Sequence, residues 1–310
     1  MAILRGIFLL CLVRGLTYVS SQYCRAHVWR NSHESLVMAI RSKIATYSKE
    51  VAYCFLTGHS LWDRSKLSWS TLAFHLANGL KSKRGGSDSA ARKYTICYAG
   101  RLMDIYLRQK GGDMFIFHEV FGGGIYRPPP QVRPDVHTVV DLGANIGLTT
   151  LYLQKYFPNA SYLCIEPNPA NVAVLRRNVA WMGPRTRVVE AAISDHTGYA
   201  SFNADALSYS GRLTAESKGI AVRCETLLSV LDRCGIDCVD ILKIDIEGAE
   251  RQLFRSAHAW LPRVQSLVVE VHGDTGDSYD TDQFRADVEA QGFTLLSKTE
   301  LCPMLWARRG

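Results

Sequence analysis

A chain of 310 residues is long enough to bury a full-sized core, so one catalytic domain with an accessory segment is the natural expectation. Hydrophobic content of 47% and charged content of 21% exclude a disordered or fibrous protein. The formal charge of +7 is unevenly spread. Residues 1–100 hold 14 Lys and Arg against 4 Asp and Glu, while residues 101–310 hold 22 against 25, which argues against a nucleic-acid partner for the later part.

The basic residues of the first hundred are interleaved with Leu, Ile, Tyr and Trp, as on the solvated faces of helices. Nine cysteines, an odd and scattered set, point to unpaired thiols in a reducing compartment, and the protein is expected to be cytoplasmic. Cys234 and Cys238 have no second Cys/His pair nearby to complete a zinc site.

In chain order, MAILRGIFLLCLVRGLTYVS opens with an apolar run, Gly6 to Val13, that Arg14 interrupts. That run falls short of the roughly 20 apolar residues that span a bilayer. It also lacks the long core and small-residue cleavage site of a secretory signal. An amphipathic helix is expected, with weak peripheral membrane contact left open. Leu36, Ile40, Ile44, Tyr47 and Val51 then recur at helical spacing. KSKRGGSDSAA (81–91) reads as a linker, and YTICYAG and DMFIFHEVF as short strands. RPPPQVRP (127–134) fits neither a helix nor a central strand and marks the clearest boundary. Three regions follow: a helical, basic N-terminal extension (1–90), a short β-rich accessory segment (91–134) and a cofactor-binding domain (135–310).

Beyond Pro134 strands and helices alternate. HTVVDLG, SYLCIE, RVVEAAI, DILKIDIE, QSLVVEVH and FTLLS read as strands, with helices over Asn145–Tyr156, Asn168–Met182, from about Ala249, and Asp282–Gln291. VVDL, YLCI and LVVEV are continuously apolar, as strands covered on both faces should be. The expected fold is α/β: a doubly wound, mostly parallel, Rossmann-like sheet with its ligand at the carboxyl ends of the strands.

VVDLGANIGLTTLYL carries the chemistry. A strand ends in Asp141, a turn with Gly143 and Gly147 follows, and a helix begins near Asn145. The missing side chains of these glycines are expected to let a ligand approach the backbone. The G-x-G-x-x-G spacing of dinucleotide sites is absent, because Asn145 stands where the middle glycine belongs, and no phosphate-cradling G-x-x-x-x-G-K-[ST] occurs. A carboxylate at Asp141 would repel a pyrophosphate and suits a cation. S-adenosylmethionine carries an ammonium and a sulfonium, each favoured by a nearby carboxylate by about 1 kcal/mol in water and more when partly buried. Glu166, closing the next strand, is placed to accept ribose hydroxyls.

DLGANIG, IEPNP, ILKIDIEGAE and VVEVH, in that order and spacing, resemble the FkbM family of class I methyltransferases, over roughly residues 94–310. The resemblance implies an O-methyltransferase acting on a hydroxyl of a sugar, glycan or natural product, with S-adenosylmethionine as cofactor. It implies that Asp141, Gly143, Ala144, Asn145 and Gly147 form the methionine-side loop and Glu166 the ribose acid. It also places Ser194 and Asp195 where adenine contacts are expected.

Methyl transfer to an alcohol needs the acceptor oxygen held in line and its proton removed. Period-2 alternation puts Ile241, Lys243 and Asp245 on one strand face, with Asp245 and Glu247 near its carboxyl end. The next strand supplies Glu270 and His272. Asp245, Glu247 and His272 are the candidate catalytic residues, and Lys243 is expected in a structural ion pair. The same cluster could hold a divalent cation, which is not favoured. Tyr199–Gly211 reads equally as a lid or a hairpin insertion. The alternatives are a small-molecule N-methyltransferase and an inactive cofactor-binding scaffold, while the oligomeric state is not specified by the sequence.

Overall fold

The computed structural model describes residues 28–79, 90–109, 112–203, 212–214, 219–247, 249–271, 281–298 and 304–310. The chain divides into two compact units, 1–85 with 94–104, and 86–93 with 105–310. No described helix is long and apolar enough to cross a membrane.

The first unit holds helices α1 (Val28–Thr57) and α2 (Leu61–Gly79) and most of a hairpin, β1 (Arg92–Tyr98) and β2 (Arg101–Leu107). The helices meet at a corner that only glycine fits, since a Cβ on Gly58 would lie 2.6 Å from the Arg64 nitrogen. Ser60 caps α2: its Oγ accepts from the Asp63 amide (3.0 Å) and donates to Asp63 Oδ2 (2.6 Å). The first bond satisfies one amide the helix leaves open, and the second orients the hydroxyl for it. Cys54, Leu67, Tyr94 and Ile96 form the interior, and the Tyr94 hydroxyl bonds Ser70 at 2.8 Å.

In the second unit a short helix, α3 (Asp113–Phe117), runs into a π-helical turn, His118–Gly123. This corrects the strand expected for DMFIFHEVF. Met114, Phe117, His118 and Phe121 are buried at helical rather than alternating spacing, and Asp113 anchors the start by binding Arg108. There follow β3 (Thr138–Leu142), α4 (Leu148–Gln154), β4 (Ser161–Glu166), α5 (Pro169–Val179) and β5 (Thr186–Glu190). Asn168 caps α5 through the Ala170 amide at 3.0 Å, with Pro169 in the first turn.

Strands β6 (Ala192–Ile193), β7 (Gly198–Asn203), β8 (Arg212–Thr214) and β9 (Ile220–Glu225) make a separate sheet in the order β6-β9-β7-β8. Residues 204–211 of the expected lid or insertion lie outside the described residues. The chain continues with α6 (Leu227–Cys234), β10 (Val239–Ile244), α7 (Glu250–Arg255), α8 (Ala257–Trp260), β11 (Val264–Glu270), α9 (Thr281–Ala290), β12 (Phe293–Lys298) and β13 (Met304–Arg309).

The main sheet runs β12-β13-β11-β10-β3-β4-β5, parallel except for β13, which is antiparallel to both its neighbours. The expected doubly wound, mostly parallel α/β sheet is therefore the observed one. The antiparallel β13 is an addition that the sequence reading did not include. Its fully buried Trp306 and Ala307 show that it completes the core. Connections change direction between β3 and β10, the switch point at which such sheets open a crevice beyond their carboxyl ends.

Candidate active site

A cavity of about 360 Å³ opens at that switch point. Its first wall is the turn after β3. Gly143 (φ 69°), Asn145 (φ 50°) and Gly147 (φ 85°) all have left-handed backbones, a region that glycine enters freely and asparagine more readily than most other residues. The glycines serve the protein's own packing, and Gly143 also lies on the cavity wall. A Cβ on Gly143 would lie 1.8 Å from the Asp245 carbonyl, and one on Gly147 would lie 2.6 Å from Leu175 Cδ1. The missing side chains bring β3 against the end of β10 and α4 against α5. The Gly143 and Ala144 amides donate to the Ile165 carbonyl, both at 3.0 Å, so the turn is also pinned to β4. Asn145 lines the cavity, and its buried side-chain oxygen has no hydrogen-bond partner among the described residues.

Asp141 lies beneath this turn, fully buried, and is not part of the cavity wall. Asp141 and Lys243 are register partners on adjacent parallel strands, which puts both side chains on one face. Asp141 Oδ1 stands 3.1 Å from Lys243 Nζ, and Oδ2 accepts from Thr150 Oγ1 at 2.7 Å. Lys243, also fully buried, donates to the Leu142 carbonyl (3.0 Å) and the Gly143 carbonyl (2.7 Å) and lies 3.5 Å from Asp245 Oδ2. Burial pushes the Lys243 pKa down, but Asp141 and Asp245 outweigh it, so the ammonium is held charged above its ordinary range. The charge of Asp141 is thus matched within the protein. Lys243 clamps the turn to Asp245, in the structural ion pair the strand pattern had suggested.

Glu166 lines the cavity from the end of β4. Its Oε2 accepts from the Asn145 amide (2.9 Å), and its Oε1 from the Asn168 amide (2.9 Å) and Asn171 Nδ2 (3.2 Å). Burial raises its pKa above the usual glutamate value, against the pull of those hydrogen bonds and of Lys243. Behind it, Arg108 donates to Asn171 Oδ1 at 2.8 Å and to both Asp113 oxygens at 2.9 Å. Asn178 ties the same layer to the turn, donating to the Ile146 carbonyl at 2.7 Å and accepting from the Tyr106 amide at 2.6 Å. The sequence reading missed Arg108, Asn171 and Asn178. The available signal was two asparagines seven apart on the buried face of α5, where apolar residues belong.

The opposite wall is acidic. Asp245 follows β10, Glu247 (φ 53°) lies just beyond, Glu270 closes β11, and Glu119 comes from the π-helical turn. Tyr126 donates its hydroxyl to Asp245 Oδ2 at 3.0 Å. Burial, reinforced by Asp245, Glu270 and Asp141, raises the Tyr126 pKa well above its ordinary value, so the phenol is a fixed donor. Tyr126 and Glu119 had no motif to announce them. Asp245 and Glu247 are brought together at the cavity, whereas His272 lies outside the described residues.

Ser194 and Asp195 do not line the cavity, although Ile193 does. Asp195 Oδ1 instead binds His196 Nδ1 (2.8 Å) and Gln252 Nε2 (2.7 Å), with Ser194 Oγ 3.3 Å away. Among the described residues no group of three or more His, Cys, Asp or Glu is arranged to hold a metal ion.

Residues 141–295, half of the chain, match the family model for the methyltransferase FkbM domain. The chain belongs to the FkbM methyltransferase family. It is 28% identical over 225 residues to the 31-O-demethyl-FK506 methyltransferase FkbM of Streptomyces tacrolimicus, covering 61% of this chain and 85% of that protein. It is 28% identical over 159 residues to the 2-O-methyltransferase NoeI of Sinorhizobium fredii, covering 44% of this chain and 64% of that protein. Among solved structures it is similar to the methyltransferase FkbM from Methylobacillus flagellatus, at 14% identity and a TM-score of 0.44, over 86% of this chain and 60% of that one.

Membership implies S-adenosylmethionine as methyl donor, and the cavity's donor set fits that molecule. Glu119, Glu166, Asp245, Glu247 and Glu270 line it against one cation, Lys243, whose charge Asp141 already matches. Such a field favours a sulfonium and an ammonium and disfavours a pyrophosphate. The unpartnered Asn145 oxygen provides an acceptor for N–H or O–H groups.

Proposed function

We propose that this FkbM-family chain is an S-adenosylmethionine-dependent O-methyltransferase acting on a hydroxyl of a sugar, glycan or natural product. The observation that carries the reading is the pairing of a rigid turn next to Glu166 with a facing wall of carboxylates around Asp245. Asn145 would hold the methionine end, Glu166 the ribose hydroxyls, and Ile165, Ile193 and Phe202 the adenine. When bound, the cofactor supplies an electrophilic methyl group. The protein holds the acceptor oxygen in line and keeps water out, which lowers the barrier through orientation. Asp245 receives the acceptor's proton at its carboxylate, a step worth about 10²- to 10⁴-fold in rate. Tyr126 fixes Asp245 Oδ2 by its hydrogen bond, and Lys243 keeps the carboxylate beside the turn.

The same wall argues against an amine acceptor. Carboxylates around an amine raise its pKa and keep it protonated, which removes the lone pair that N-methylation requires. The test is calorimetric titration with S-adenosylmethionine and, separately, NADH, followed by transfer of a labelled methyl group to a panel of sugar and natural-product hydroxyls. Binding of the methyl donor alone, weakened in Glu166→Ala, with label recovered as an ether, is expected. A folded sample that does not bind the methyl donor would overturn the proposal and favour a scaffold role.

A further inference from the structure

We propose that the helical unit docks this enzyme on an anionic lipid surface through the apolar corner where α1 meets α2. At that corner Leu56 is 76% exposed, Leu61 74% and Trp62 75%, with Phe55 half exposed beside them. Trp69, 62% exposed, lies two helical turns beyond Trp62 and therefore on the same face of α2. The unit's own interior does not call for these side chains: Cys54, Leu67 and Thr71 occupy the inner faces of the two helices. Five large apolar side chains exposed within fifteen residues are the kind of cluster that marks an interaction surface.

Charge identifies the occupant. The unit carries 13 Lys and Arg against 4 Asp and Glu. Its described carboxylates are turned to internal partners: Glu50 to His75, Asp63 to Ser60 and the Thr95 amide, Asp104 to the Thr95 hydroxyl. The basic residues border the patch. Exposed Lys49 lies two turns before Leu56 on α1, Arg64 stands over the Phe55 ring, and Lys66 lies between Trp62 and Trp69 on α2. An anionic bilayer satisfies both halves of this surface. Its headgroups attract the Lys and Arg residues, while Trp rings and Leu side chains enter the boundary with the acyl chains. A nucleic acid would meet the charge but would offer nothing to Leu56 and Leu61.

Flotation of the full chain with vesicles tests the proposal, comparing phosphatidylcholine alone with vesicles containing about one third phosphatidylglycerol. Expected is binding at least about tenfold stronger to the anionic vesicles, largely lost near 0.5 M salt. Trp62→Ser/Trp69→Ser is expected to weaken it by about tenfold without changing the melting temperature or the affinity for S-adenosylmethionine. Lys49→Glu, which leaves the apolar patch intact, should weaken anionic binding and leave the weak neutral binding as it was. The proposal is overturned by absence of vesicle binding, by equal binding to neutral vesicles, or by full binding in the tryptophan variant. Tighter binding to a DNA duplex than to vesicles overturns it too. A concentration-dependent dimer that the tryptophan variant abolishes would do the same and assign the patch to a second copy of the chain.

Discussion

On the β3–β4 side of the cavity, the wall is one continuous turn, Gly143 to Gly147. The amides of Gly143, Ala144 and Asn145 are bound to Ile165 and Glu166, and the Gly143 carbonyl to a buried ammonium. On the β10–β11 side, the carboxylates of Asp245, Glu247 and Glu270 come from two strand ends, and Glu119 joins the cavity lining from a π-helical turn far away in the chain. The first wall is preorganised by backbone and short-range packing, so it suits a ligand that does not vary. The second is built from separate side chains, which on the proposed reading would face the acceptor. Lys243 belongs to both, bonded to the turn and 3.5 Å from Asp245.

The contrast is broken most severely at Lys243. Lys243→Met leaves Asp141 charged, buried and unmatched, and is expected to cost about 3–5 kcal/mol of stability in urea unfolding. Adding Asp141→Asn should restore part of the loss, and a double variant no more stable than the single would show that the pair is not what holds the turn. On the acceptor side, Asp245→Asn should lower kcat by about 10²- to 10⁴-fold while cofactor affinity stays within a few fold. A comparable loss of affinity would move Asp245 to the cofactor wall.

Tyr126→Phe removes only the hydrogen bond to Asp245 and is expected to lower kcat by about tenfold. An unchanged rate would leave Tyr126 as packing alone. Glu166 gives a pH signature. Because burial raises its pKa, its contribution to folding stability is greatest below the ordinary glutamate value and declines as pH climbs to the raised one. Binding of the cofactor ribose should run the opposite way, weakening as pH falls through that same raised value. Melting and titration series over the acid range would separate the two trends. The smallest effect belongs to Asp195→Ala: the side chain is exposed and outside the cavity wall, so a change within about 0.5 kcal/mol in both stability and cofactor binding is expected. A larger loss of binding would restore it as an adenine contact.

The turn was legible in sequence because it is contiguous: Asp141, Gly143, Asn145, Gly147 and Glu166 lie on two neighbouring βα units. Even so, Asp141 was expected to face a cationic ligand, whereas its cation is Lys243, a hundred residues away. The glycines were read as room for a cofactor, and they also let strand and helix pack closely, which their spacing did not announce. Arg108, Asn171 and Asn178 hold the layer under Glu166 without any motif, because a buried hydrogen-bond network depends on where side chains meet rather than on spacing.

Periodicity and strand-end chemistry in the sequence alone determined the alternating parallel sheet, the position of its crevice, the family resemblance and the glycine-containing turn after β3. Each of these rests on interactions between residues close in the chain or repeated at a fixed period. Only the tertiary structure decided that Asp141 and Lys243 neutralise one another, that DMFIFHEVF turns helical, that Met304–Arg309 completes the sheet as its antiparallel strand, and that Tyr126 and Glu119 reach the cavity. Those outcomes depend on register, burial and approach between segments distant in sequence, which linear spacing does not encode.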